Sequence, residues 1–132
     1  MSDVKIILED EVYSIMGAAM EVYYKVGTGF LEPVYQEMLG IEMLQRGIPF
    51  EAEKELEIEY KGIKLKKKYR PDFICHGQIL IELKSTERLS NIEVAQILNY
   101  MKITAMRVGL LVNFGARPKL EWKRYVYKKK IF

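Results

Sequence analysis

The sequence predicts an α/β fold, one mixed sheet flanked by helices, in the order α-α-β-β-β-β-α-β-β. Three observations carry this. Apolar residues recur at helical spacing in the first 45 residues and again over 91–104. Between and after these stretches the pattern switches to strand alternation or to short, continuous apolar runs. Interior strands with helices on either side need a layered arrangement to bury both kinds of apolar surface. The length of 132 residues suits one domain spanning 1–132.

The first helix spans Leu8 to Lys25, with Val12, Ile15, Met16, Ala19, Met20 and Tyr23 on one stripe, and Gly27-Thr28-Gly29 stops it. The second runs from about Leu31 to Gln45, with a stripe of Leu31, Val34, Tyr35, Met38, Leu39 and Met43. Pro33 falls in its first turn, where a missing N–H costs little. Gly47-Ile48-Pro49 ends it. Glu53 to Tyr60 alternates Leu56, Ile58 and Tyr60 with charges and reads as a strand with one wet face. Ile63 to Tyr69 follows after the Lys61-Gly62 turn, with Lys64, Lys66 and Lys68 outward. Pro71 to Cys75 is a short apolar strand carrying Asp72, His76-Gly77-Gln78 is a turn, and Ile79 to Lys84 is apolar until Glu82. Asn91 to Thr104 is the third helix, fixed on the sheet by Ile92, Ala95 and Ile103. Arg107 to Phe114 is a buried strand and Leu120 to Tyr127 the last.

Composition narrows the chemistry. Hydrophobic residues make up 49% and charged residues 30%, which fits a globular chain with a core. Lys and Arg number 21 against 18 Asp and Glu, a net charge of +3, enough for an anionic partner but not for bulk neutralisation of nucleic acid. One cysteine, Cys75, excludes an internal disulfide and a cysteine-cluster metal site. One histidine, His76, excludes a two-histidine zinc site and reads as a hairpin residue. The opening Met1-Ser2-Asp3-Val4-Lys5 lacks the apolar run of a signal peptide, and no stretch approaches the roughly 18 apolar residues of a membrane helix. The expected location is cytoplasmic, without membrane contact. Any demanding chemistry must then rest on carboxylates, lysines and oxygen-loving metals.

The stretch from Arg70-Pro71-Asp72 to Glu82-Leu83-Lys84 places charges in or beside apolar strands, where they are costly unless paired or metal-bound. Glu82 and Lys84 share a strand face. A hairpin centred on Gly77 sets residue 72 opposite residue 82, and opposed residues also share a face. Two carboxylates so close repel, and Mg2+ or Mn2+ would relieve this with oxygen ligation. Lys84 could orient or deprotonate a water, or stabilise charge on a phosphate. A structural salt bridge is the alternative. Acid-x-lysine also occurs at Glu59-Tyr60-Lys61 and Glu121-Trp122-Lys123, but without a partner acid one hairpin earlier.

Glu32 and Tyr35 are three apart on the second helix, and Gln96 and Tyr100 four apart on the third, so each pair shares a helix face. Glu32 alone also suits a helix N-terminus. Together, Gly29-x-x-Glu32-x-x-Tyr35 resembles the signature of the GxxExxY proteins, a group within the PD-(D/E)XK nuclease superfamily. Pro71-Asp72 with Glu82-x-Lys84 resembles that superfamily's core motif. Gln96-x-x-x-Tyr100 resembles the helix motif of its RecB-like branch. The resemblance spans about residues 10 to 113 and implies a restriction-endonuclease-like fold and a magnesium-dependent phosphodiesterase. It implies Asp72 and Glu82 as metal ligands, Lys84 as catalytic lysine, Glu32 as an acid near the metal, and Gln96 and Tyr100 as residues that line the site. It also favours DNA over RNA as substrate.

Lys68 and Arg70, with Lys64, Lys66 and Lys67, could track phosphates, or simply solvate a strand edge. Trp122, Lys123, Arg124, Tyr125, Tyr127 and Lys128 to Lys130 interleave aromatics with cations, as single-strand binders and ordinary basic edge strands both do. Two functions stay open: a metal-dependent nuclease, and an inactive module on the same fold that binds nucleic acid or protein. A homodimer would give two sites for two strands, though no interface is legible.

Overall fold

A computed structural model describes residues 7–128; the expectations for the first five residues and for Lys129 and Lys130 lie outside them. Helix α1 (Glu9–Val26) opens with three acids and ends at Gly27, whose N–H bonds to the Tyr23 carbonyl. Helix α2 (Glu32–Gln45) carries Pro33 in its first turn. Both helices bury their apolar stripes on one face of a five-stranded sheet, through Ile15, Met16 and Ala19 of α1 and Tyr35, Leu39 and Met43 of α2. Leu31 and Val34, expected in the α2 stripe, are exposed.

The sheet contains β1 (Phe50–Ala52), β4 (Phe73–Cys75), β5 (Ile79–Lys84), β6 (Val108–Asn113) and β7 (Glu121–Val126), in the spatial order β1-β4-β5-β6-β7. β5 and β6 run parallel and the other neighbours antiparallel. The mixed sheet is thus as expected, but two details differ. The strand expected from Glu53 begins only at Leu56, and a further strand that was not expected, Phe50–Ala52, precedes it. Phe50–Ala52 pairs with β4, whereas β2 (Leu56–Tyr60) pairs with β3 (Ile63–Tyr69) in a separate two-stranded sheet. The turn between the two strands falls at Glu53, which takes a left-handed φ of 52° while its N–H bonds to the Asp72 carbonyl.

Helix α3 (Asn91–Thr104) joins β5 to β6 and packs between the sheet's second face and the β2–β3 hairpin. Ser90 and Glu93 form its capping box. Its buried residues are Ile97 and Met101, with Val94 and Tyr100 partly covered. The expected stripe is out of phase: Ile92 is 67% and Ile103 47% exposed. The helix carries apolar residues around much of its circumference, so periodicity offers two faces. Gly109 on β6 decides between them, because a side chain there would collide with Met101 and Ile97.

Candidate active site

The β4–β5 hairpin turns through His76 and Gly77, both at positive φ, and pairs Phe73 with Ile81, Ile74 with Leu80 and Cys75 with Ile79. That register is centred on Gly77 and carries Asp72, just before β4, opposite Glu82. Phe73, Ile81 and Leu83 enter the core under α1 and α2, while Leu80 enters the core under α3. Strand alternation therefore puts Glu82 and Lys84 on the α3 side.

Asp72 and Glu82 are locked to each other's strands. The Asp72 N–H donates to Glu82 Oε1 at 3.1 Å, and the Leu83 N–H donates to Asp72 Oδ2 at 2.7 Å. β4 begins only at Phe73, so the Asp72 carboxylate accepts a bond that a strand carbonyl would otherwise take. Burial and the neighbouring Asp72 charge push the Glu82 carboxyl up to about 7. Burial also raises Asp72, opposed by the Leu83 N–H and reinforced by Glu32. Lys84 offsets part of this for both acids. It forms no direct ion pair among the described residues.

Glu32 is exposed at the start of α2, near enough for its charge to act on Asp72. Among the described residues, however, no group of three His, Cys, Asp or Glu side chains stands ready to hold an ion. The close acid pair is Asp72 and Glu82. Tyr35 is buried rather than site-facing. Its ring stacks on Phe114 at 4.5 Å, and its hydroxyl donates to the Gly27 carbonyl at 2.6 Å and accepts a long bond from the Phe30 N–H. It thereby fixes the loop that includes Gly29, whose φ of +114° suits glycine.

Tyr100 stacks on Tyr69 with centroids 3.6 Å apart. The Tyr69 hydroxyl is buried beside Glu82 without completing a hydrogen bond, and burial followed by the Glu82 charge holds its pKa far above the usual phenol value. Gln96 is exposed, one turn before Tyr100 and one turn after Glu93. Glu93 feels the charge of Lys84, and Tyr100 lies stacked on Tyr69 beside Glu82. Gln96 lies between these two positions along the helix.

The basic candidates do not form one patch. Both Nε and Nη2 of Arg70 bond to Glu55, and Lys68 lies 3.8 Å from Glu57, which also pairs with Lys64. Arg124 bonds to the Ile7 carbonyl. Lys123 is exposed and opposes Leu111, which in turn pairs with Glu82, so it shares the cluster's sheet face two strands away.

Four contributors escaped the sequence reading. Gln36 donates to the Asp72 carbonyl at 3.2 Å and ties α2 to the site. Glu53 bonds to the same carbonyl through its N–H and adds negative charge beside Asp72. Tyr69 flanks Glu82. Asn113, fully buried, bonds to Thr86 N and O, to Gly115 N and to Glu121, which also holds the Leu89 N–H. This network braces the loop after Lys84. A polar residue ending the run Val108 to Asn113 was its visible signal. Glu121, read above only as a chance acid-x-lysine match, thus has a structural task.

A sequence model of the PD-(D/E)XK nuclease superfamily matches residues 9–125. The crystal structure of SSO0001 resembles this fold with a TM-score of 0.51 at 20% identity, covering 98% of this chain and 71% of that one. No match is found among curated proteins. No helix among the described residues is long and apolar enough to cross a membrane.

Proposed function

This chain belongs to the PD-(D/E)XK nuclease superfamily, and we propose that within it the protein is a metal-dependent nuclease that hydrolyses phosphodiester bonds in nucleic acid, DNA in preference to RNA. The observation that carries the reading is the pairing of Asp72 with Glu82, two half-buried carboxylates tied together through backbone N–H groups and raised by burial and by neighbouring acids, beside a lysine bound to neither.

The donor set fits Mg2+ or Mn2+: it is all oxygen, and a cation would offset the burial and the neighbouring negative charge that raise both acids. Such an ion supplies Lewis acidity at the phosphate and lowers the pKa of water. Asp72 and Glu82 would hold it, with Glu32 as the nearby helix-borne acid. Lys84 orients the attacking water or stabilises charge on the phosphate. Gln96 and Tyr100 position substrate from α3, and Lys123 contacts phosphate from β7. Lys68, Arg70 and Arg124 join it only where substrate phosphates replace their present partners. The placement of Gly29, Glu32 and Tyr35 supports assignment to the GxxExxY group, and Gln96 with Tyr100 to the RecB-like branch. A homodimer would serve two strands.

One observation favours the alternative, an inactive binding module: the described residues bring no third acid into a coordinating group. Labelled single-stranded, duplex and branched DNA and RNA, incubated with Mg2+, Mn2+ or EDTA, separate the two. Metal-dependent cleavage supports the nuclease. Binding without cleavage under every condition supports the module.

A further inference from the structure

We propose that the cleft beside the acid pair is a subsite for one unpaired nucleobase flanking the scissile phosphate, with Phe30 as its stacking surface. The inference rests on the nuclease reading and adds to it the form of substrate. The cleft is open, about 700 Å³ in volume, and is walled by Thr28, Phe30 and Leu31 on one side and Ser85, Glu87 and Arg117 on the other. That volume lies within the range of small-molecule sites. Ser85 follows Lys84 directly, and Leu31 precedes Glu32, so both walls adjoin candidate site residues along the chain.

The walls are held in place before any ligand arrives. Ser85 Oγ donates to the Phe30 carbonyl at 2.8 Å, and the Phe30 ring packs edge-on against the buried Tyr35. Arg117 Nε donates to Thr28 Oγ1 at 2.9 Å. Gly115 lies so close to Thr86 that a side chain would come within 2.5 Å of its backbone. Yet Phe30 keeps 41% of its surface exposed at the cleft. An exposed aromatic on a pinned loop offers a flat face at little ordering cost, and every base can use it.

The charges favour a base over a phosphate. Arg117 is opposed by Glu87 in the same cleft, so no net positive charge collects there. Glu87 can accept from exocyclic amines, and the hydroxyls of Thr28, Ser85 and Thr86 can donate or accept. A base enters such a cleft only when unpaired. The substrate is then a single strand, a frayed end or a flap rather than intact duplex.

The test is fluorescence anisotropy in EDTA with a labelled 12-nucleotide DNA single strand and the matching blunt duplex. Wild-type protein and the Lys84→Ala variant should both prefer the single strand. Phe30→Ala should weaken single-strand binding about 5- to 150-fold, with little change for duplex. Phe30→Leu, which keeps an apolar contact with Tyr35, should show the same loss, and Phe30→Trp should restore binding. Equal affinity for both DNAs, no measurable binding, or a Phe30→Leu variant that binds as wild type would each overturn the subsite. Phe30-dependent binding in a protein that never cleaves would instead retain the subsite and overturn the nuclease reading.

Discussion

Asp72 and Glu82 each use a carboxylate oxygen to accept a backbone N–H from the opposing strand, Glu82 from Asp72 itself and Asp72 from Leu83. These bonds hold two like charges together just before β4 begins. The fold thus fixes an arrangement that is unfavourable without a counter-charge.

The pH dependence of stability follows. The Glu82 carboxyl is held at about 7 in the folded chain against an ordinary 4.5, so the folded state binds more protons across that window. Metal-free protein should therefore lose stability as pH rises from 4.5 to 7 and be least favoured above it. Thermal unfolding in EDTA should give a Tm several degrees higher at pH 5.5 than at pH 8. Glu82→Gln should flatten this slope and raise Tm at pH 8, and millimolar Mn2+ should recover stability at pH 8 in the wild type alone. A Tm that rises from pH 5.5 to 8 in the wild type would contradict the account.

Tyr35→Phe removes the hydroxyl that holds Gly27 while preserving the stack on Phe114. It should cost about 1–2 kcal/mol of stability, read by urea denaturation. Its cleavage rate should also fall, because the loop leading to Glu32 loses its anchor. An unchanged stability would show that the loop is held by packing alone.

Asn113→Ala leaves the loop after Lys84 without its brace and removes the partners of the Thr86 N–H and carbonyl and of the Gly115 N–H. A loss of about 2–4 kcal/mol is expected. Amide exchange should accelerate at Thr86 and Gly115. Protection equal to wild type at both amides would remove Asn113 from the account of how Lys84 is positioned.

Gln96→Ala should lower single-turnover cleavage roughly 10- to 1000-fold, about 1.4–4 kcal/mol of barrier. Its Tm should hardly change, because the side chain is exposed and makes no internal hydrogen bond among the described residues. A wild-type rate would take Gln96 out of the site.

Much of this was legible in the chain because hairpin parity is arithmetic: a turn at Gly77 fixes Asp72 against Glu82, and the observed pairing has that register. The short strand Phe50–Ala52 and the turn at Glu53 that separates it from β2 were not legible, since a left-handed residue leaves no mark in alternating polarity. The face of α3 was misread because Ile92 and Ile103 compete with Ile97 and Met101, and the choice depends on Gly109 in a later strand. Lys68 and Arg70 looked like free cations because their acid partners, Glu57 and Glu55, meet them only through the β2–β3 hairpin.

The central claim is that Asp72 and Glu82 hold the metal while Lys84 acts on the reacting phosphate or water. Single-turnover cleavage by wild type and Lys84→Ala, with Mn2+ affinity of both proteins measured by electron paramagnetic resonance, tests it most directly. The account predicts that Lys84→Ala abolishes cleavage and leaves Mn2+ affinity within a few-fold of wild type, whereas Asp72→Ala loses both. Cleavage by Lys84→Ala at the wild-type rate would contradict it and reduce the lysine to a structural charge.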